Sequence, residues 1–158
     1  AYDDSIYWAD TVPTSTVISL GSSDDMVGSG DTFVIYSFVS VEGFSKFSNY
    51  TGSGSAFGPV IHIGFKPAWI MIKRTTTTNG DWFIYDNTRS PYNEIDDQLV
   101  ANDADAETTG SEELLFLANG FKIMTADAEI NTLSANYIYA AFAEYPFGGD
   151  GVTPATAF

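Results

Sequence analysis

The sequence predicts an all-β fold, specifically an antiparallel β-sandwich, and three observations carry that expectation. Aromatic residues make up 15% of the 158 residues, while Lys and Arg together number only 6. Gly, Ser and Thr are abundant, a composition that suits pleated sheets better than a helical bundle. Apolar residues recur with period two in short runs, as side chains do along a strand, and periodic helical faces are nearly absent. Turn-forming residues separate the runs.

Residues 1 to 15 hold Tyr7, Trp8 and Pro13 among acids and threonines and read as an extended arm. Thr16 to Leu20 is an expected strand. Gly21 to Asp31 is a loop by composition. Thr32 to Val41 is expected as a strand, with Phe33, Ile35, Ser37 and Val39 on one face and Val34, Tyr36 and Phe38 on the other. Gly43 allows a bend. Phe44 to Thr51 alternates again, and Gly52 to Ser55 is a flexible turn.

Pro59 to Ile63 leads into the hairpin around which the chain is organised. Its first strand runs from Gly64 to Arg74 and its second from Trp82 to Asp86, with Asn79-Gly80 supplying the positive φ of a tight turn. Both strands are apolar on both faces, so the pair belongs inside a sheet. Asp86 to Asn93 follows as a rim loop, where Pro91 forbids a continuing ladder.

From Glu94 to Glu113 there are eight Asp or Glu and no Lys or Arg. Gln98 to Ala101 is an expected short strand, and the rest of this acidic stretch reads as solvated loop. Ser111 to Ala118 admits a short helix capped by Ser111 or a strand. The Asn119-Gly120 pair favours two strands, Leu114–Ala118 and Phe121–Thr125. A last strand, Asn136 to Glu144, precedes Pro146, and Gly148 to Phe158 reads as an extended tail.

Phe33 to Val39 can be laid over Tyr137 to Ala143 at an offset of 104 (137 minus 33). The same offset sets Thr16-Val17-Ile18 on Gly120-Phe121-Lys122, and Phe44 and Phe147 follow at nearly matching distance. The repeat divides the chain into residues 1–43, the closing part of an upstream module, residues 44–147, one whole module, and the tail 148–158. Chance likeness between aromatic strands is the plain alternative. Tandem modules build elongated particles rather than enzyme clefts.

A net charge of −15 repels phosphate backbones and anionic lipid surfaces, which argues against nucleic acid and membrane insertion. No apolar run reaches membrane-spanning length. There is no cysteine, so disulfides and thiol chemistry are excluded. The start, Ala1-Tyr2-Asp3-Asp4, has no initiator Met and no signal peptide, so the chain reads as a fragment or processed product.

Candidate chemistry is sparse. The single histidine, His62, is expected to be a hydrogen-bonded structural residue, since no second His or Cys accompanies it for zinc. No catalytic residues are proposed. Carboxylates are plentiful, but nothing singles out a glycosidase pair. Calcium is a candidate cofactor: Asp24 and Asp25, Asp96 and Asp97, and Asp103 and Asp105 offer hard oxygen ligands, though none follows a calcium-loop pattern. Solvated acidic loops are the plain alternative. For a carbohydrate, an aromatic platform with planar polar groups is needed. Trp82, Tyr85, Asp86, Arg89, Tyr92 and Asn93 provide those types around one loop, although Trp82 and Tyr85 point to opposite faces of their strand.

Several stretches resemble a module of virion proteins from tailed bacteriophages, especially aquatic ones. They are Tyr50-Thr51-Gly52-Ser53-Gly54, Gly64-Phe65-Lys66-Pro67-Ala68-Trp69-Ile70-Met71-Ile72-Lys73-Arg74 and Trp82-Phe83-Ile84-Tyr85-Asp86, with Asn119-Gly120-Phe121-Lys122-Ile123 and Tyr137 to Ala143 as the closing part. Val41 to Phe47 is similar to that family's junction between modules. The resemblance spans roughly residues 16 to 147. It implies a β-sandwich like those of concanavalin-type lectins and SPRY domains, in a tail fibre or similar extracellular appendage. The partners it implies are other copies of the chain, other virion proteins and host-surface glycans. A purely structural filament or decoration subunit is the second expectation, and a polysaccharide-degrading enzyme the third.

Overall fold

The computed structural model describes residues 9–30, 32–76, 80–110 and 113–146, and among these residues eight strands and two short helices form. The strands are β1 (Ser45–Thr51), β2 (Val60–His62), β3 (Pro67–Arg74), β4 (Trp82–Asp86), β5 (Leu99–Val100), β6 (Leu114–Leu117), β7 (Gly120–Ile123) and β8 (Asn136–Ala143). The helices are α1 (Asp24–Val27) and α2 (Ala128–Asn131). The chain divides into two compact units, residues 1–37 and 38–158. That boundary lies a little ahead of the one the repeat suggests.

Among the described residues, all strands belong to the second unit and all their pairings are antiparallel. One sheet has the order β1-β8-β3-β4-β5 and the other β2-β7-β6. The fold is thus the expected all-β, sandwich-like arrangement. Period-two alternation explains it: Ile70, Ile72, Phe83, Tyr85, Tyr137, Tyr139 and Ala141 face inward from the large sheet and are buried. Ile61, Leu114, Phe116, Phe121 and Ile123 meet them from the small one. Burial of these side chains, at about 1.5–3 kcal/mol each, is the main driving term.

The predicted β3–β4 hairpin forms with Lys73 opposite Trp82 and Trp69 opposite Asp86. Residues 77–79 of its turn, Asn79 among them, lie outside the described residues, as do the Ser111 cap, Phe147 and the tail. β6 and β7 also form as expected, but the turn is shifted by one residue. Leu117 pairs with Gly120, so Ala118 and Asn119 make the turn. Gly120 is needed for another reason: a Cβ there would sit 2.0 Å from the Ile61 carbonyl oxygen.

Two expected strands do not form. Residues 16–20 and 32–40 carry no ladder, and of Thr32–Val41 only Val41 makes a single bridge, to Ser45. Alternation is necessary for a strand but not sufficient, because a strand also needs a neighbour to satisfy its peptide groups. Within the first unit, Thr14 accepts from the Val17 N–H at 3.0 Å, and Ser23 caps α1 through the Asp25 N–H. α1 lies inside the stretch read as loop.

α2 has no expected counterpart. Asp127 caps it by accepting from the Glu129 N–H at 2.7 Å. Its last residue, Asn131, is fully buried and binds the Ser53 N–H and the Ser55 and Thr125 carbonyls. His62 lies on the outer side of β2, exposed and without a side-chain partner among the described residues, so it is not the hydrogen-bonded histidine expected. No helix among the described residues is long and apolar enough to cross a membrane.

Candidate functional site

The loop after β4 is the most elaborately braced segment at the sheet rim. Asp86 starts it: its Oδ1 accepts the N–H groups of Thr88 (3.0 Å) and Arg89 (2.9 Å), and its Oδ2 pairs with the Arg89 guanidinium. A short acceptor side chain reaching two residues ahead is what makes Asp a turn former here. Arg89 Nε also lies 3.5 Å from Glu107, an ion pair without a hydrogen bond.

Ser90 ties the base of the loop together. It is 3% exposed, accepts from the Asp96 and Asp97 N–H groups, and donates to Asp96 Oδ1 at 3.1 Å. Asn93 anchors the far side. Its carboxamide accepts from the Phe116 N–H at 2.9 Å and donates to the Phe116 carbonyl at 2.7 Å. Two residues on, Ile95 makes the same kind of exchange with Leu114 through its own backbone. The Asn93 side chain therefore stands in for one more peptide group along the edge of β6.

Between these anchors Tyr92 projects, 84% exposed. A cleft of about 280 Å³ on one side is lined by Arg89, Ser90, Pro91, Glu94, Asp96 and Asp97 as well as Tyr92. A smaller one of about 150 Å³ opens on the other side, toward Lys66, Asn87, Asn93 and Glu144. Glu144 is held there by Lys66 at 2.8 Å and by the Asn87 amide at 3.0 Å. Both clefts are polar, and the larger falls at the small end of the roughly 300–1,000 Å³ range of small-molecule sites. Carboxylates outnumber cations in the larger cleft, so a neutral or amino-bearing ligand is favoured over an acidic one.

Of the six residues expected to meet a carbohydrate, the structure leaves Tyr92 free and Arg89 at a cleft wall. Tyr85 is fully buried, so its ring cannot meet a ligand. It donates to Glu113 and accepts from Gln98 Nε2 at 2.6 Å, and Gln98 also donates to Glu113 at 2.9 Å. Burial pushes the Tyr85 phenol well above its usual range and raises the Glu113 carboxyl. Trp82 stands at the opposite end of β4 under Lys73, whose ammonium is 5.1 Å from the ring centroid. Four residues of strand put it roughly 13 Å from Asp86. Asp86 and Asn93 are spent on the loop itself.

Lys66, Asn87 and Glu144 were missed from sequence. The available signal was that Lys66 precedes β3 and Glu144 follows β8, two strands that pair with Pro67 opposite Ala143. As for calcium, no three His, Cys, Asp or Glu converge among the described residues. Asp24 and Asp25 open α1, Asp103 binds the N–H of Ala104, and Asp96 binds Ser90.

The fold and site together define an antiparallel β-sandwich protein with a braced, aromatic-tipped polar rim. Residues 1–146 match one family model, and the chain belongs to that family, Domain of unknown function (DUF7483). No curated protein and no solved structure matches it.

Proposed function

We propose that this chain is a non-catalytic module of a phage virion appendage, and that it recognises a host-surface glycan at the Tyr92 rim. The observation that carries the site is Tyr92 itself, a ring 84% exposed on a loop held by cross-bonds and flanked by two polar clefts. Exposed large rings lose little entropy on binding and pack against the C–H face of a sugar, while planar amides and carboxylates take its hydroxyls. Bracing at Asp86, Ser90 and Asn93 orders the loop before any ligand arrives, which lowers the cost of association. The likeness to tail-fibre modules supplies the setting, and the cleft charge favours neutral or amino sugars.

The test is binding of the labelled chain to bacterial cells and to extracted surface polysaccharide, beside Tyr92→Ala and Trp82→Ala. Saturable binding lost in Tyr92→Ala and retained in Trp82→Ala is the expected result. Binding indifferent to Tyr92→Ala, or no binding to any polysaccharide, would sink the reading.

A further inference from the structure

Lys66, Asn87 and Glu144 stand at one end of three adjacent strands. Glu144 follows β8, and its N–H donates to the Lys66 carbonyl at 2.9 Å. Asn87 follows β4, and its N–H donates to the Ala68 carbonyl at 2.9 Å. β3 lies between β8 and β4 in the sheet, so main-chain bonds to its first residues fix both neighbours. One carboxylate then joins the three side chains. Lys66 Nζ is 2.8 Å from Glu144 Oε2, and Asn87 Nδ2 donates to Glu144 Oε1 at 3.0 Å. The carboxylate is largely shielded while Lys66 is nearly half exposed, which leaves the lysine's long stem room to turn.

This combination differs from the other carboxylate contacts among the described residues. Asp81 accepts from the Asn102 amide and Glu113 from the Gln98 amide, each at 2.9 Å, and neither is paired with a lysine. Asp86 and Glu107 hold an arginine, whose guanidinium keeps its proton and is no nucleophile. At Glu144 a nitrogen able to attack and a nitrogen able to leave sit on the two oxygens of one group. That is the placement a shared proton carrier needs.

We propose that Lys66 and Asn87 join in an intramolecular isopeptide bond, with Glu144 moving the protons. The Lys66 ammonium gives one proton to Glu144 Oε2, and the freed lone pair attacks Asn87 Cγ. The Nζ–Cγ bond forms and the Cγ–Nδ2 bond breaks. Glu144 returns its proton to Nδ2, which leaves as ammonia. The second proton shed by Nζ converts that ammonia to ammonium, and Glu144 ends as the carboxylate it began as. No oxidant or co-reactant is required, and the step occurs once per chain without turnover. Holding the two groups on one carboxylate replaces a bimolecular encounter by an intramolecular one. Lys66 and Asn87 flank the β3–β4 hairpin, so the bond closes its open end and restricts the unfolded chain, as a disulfide does. The chain has no cysteine with which to do this otherwise.

The experiment is intact mass spectrometry of the denatured full chain, followed over prolonged incubation at neutral pH, with tryptic mapping. The expected mass is lower than that of the sequence by one ammonia. Trypsin should release a branched peptide joining residues 47–73 to residues 75–89, because Lys66 precedes Pro67 and is not cut. Lys66→Arg keeps the cation but cannot attack, and Asn87→Ala has no carbonyl to attack, so both should keep the sequence mass. Glu144→Gln keeps the shape without the proton carrier and should slow the bond at least about 100-fold. Wild type remaining at the sequence mass would overturn the proposal. So would an ammonia loss that persists in Lys66→Arg or maps to other peptides, and an undiminished rate in Glu144→Gln would remove that residue's role.

Discussion

Replacing Asn93 by Ala separates two roles for that residue, a contact with ligand and a clamp on the loop. The side chain makes two hydrogen bonds, both to the Phe116 peptide groups, at 2.9 and 2.7 Å. Each such bond is worth about 0.5–1.5 kcal/mol net, so truncation costs about 1–3 kcal/mol. Asn93 is exposed, so water reaches the freed groups and the lower half of that range applies. Thermal unfolding should fall by roughly 2–8 °C for a chain of this size. The sharper readout is amide exchange at Phe116, which should quicken about 5- to 30-fold with no ligand present. Asn93→Asp keeps an acceptor for the N–H but sets a carboxylate against the Phe116 carbonyl. It should cost at least as much as Asn93→Ala at neutral pH and recover in part as the new carboxyl protonates. Unchanged Phe116 exchange and melting in Asn93→Ala, with glycan binding lost, would refute the clamp and make Asn93 a ligand contact.

Two further outcomes are expected of the core. Burial raises the Glu113 carboxyl in the folded state, so its stabilising contribution is full below the ordinary carboxylate value and is lost as pH rises through the raised one. Urea titrations from pH 4 upward should show wild type losing stability relative to Glu113→Gln just above that ordinary value, and parallel curves would refute the assignment. Gly120→Ala would bring a Cβ within 2.0 Å of the Ile61 carbonyl, and a backbone atom cannot rotate away. Overpacking of about 1–3 kcal/mol is expected. Wild-type melting in this variant would show that the β2–β7 spacing yields.

Seven of the eight described strands were legible because alternation is local: a reader of Ser45–Thr51 or Asn136–Ala143 sees both faces at once, whereas β2 lies in a stretch read only as the lead into the hairpin. The same rule failed at residues 32–41, where alternation is just as clear but no neighbour is supplied. The site was half legible. Asp86, Arg89 and Tyr92 could be gathered by proximity in sequence, whereas Lys66 and Glu144 meet only through the β3–β8 pairing. Glu113 closed an acidic run that reads as solvated loop, yet it is 8% exposed because it enters β6 beside Tyr85 and Gln98.

By itself the sequence determined the fold class, the acidic surface and the rim loop, since composition, period and turn chemistry are properties of neighbouring residues. Only the tertiary structure decided which aromatic faces water, which amide is spent on a backbone and which strand lacks a partner. Burial and pairing depend on what lies across the sheet, and that neighbour is often distant in the chain: Tyr50 pairs with Tyr137, while Tyr85 and Tyr92, seven residues apart, lie in the core and in solvent.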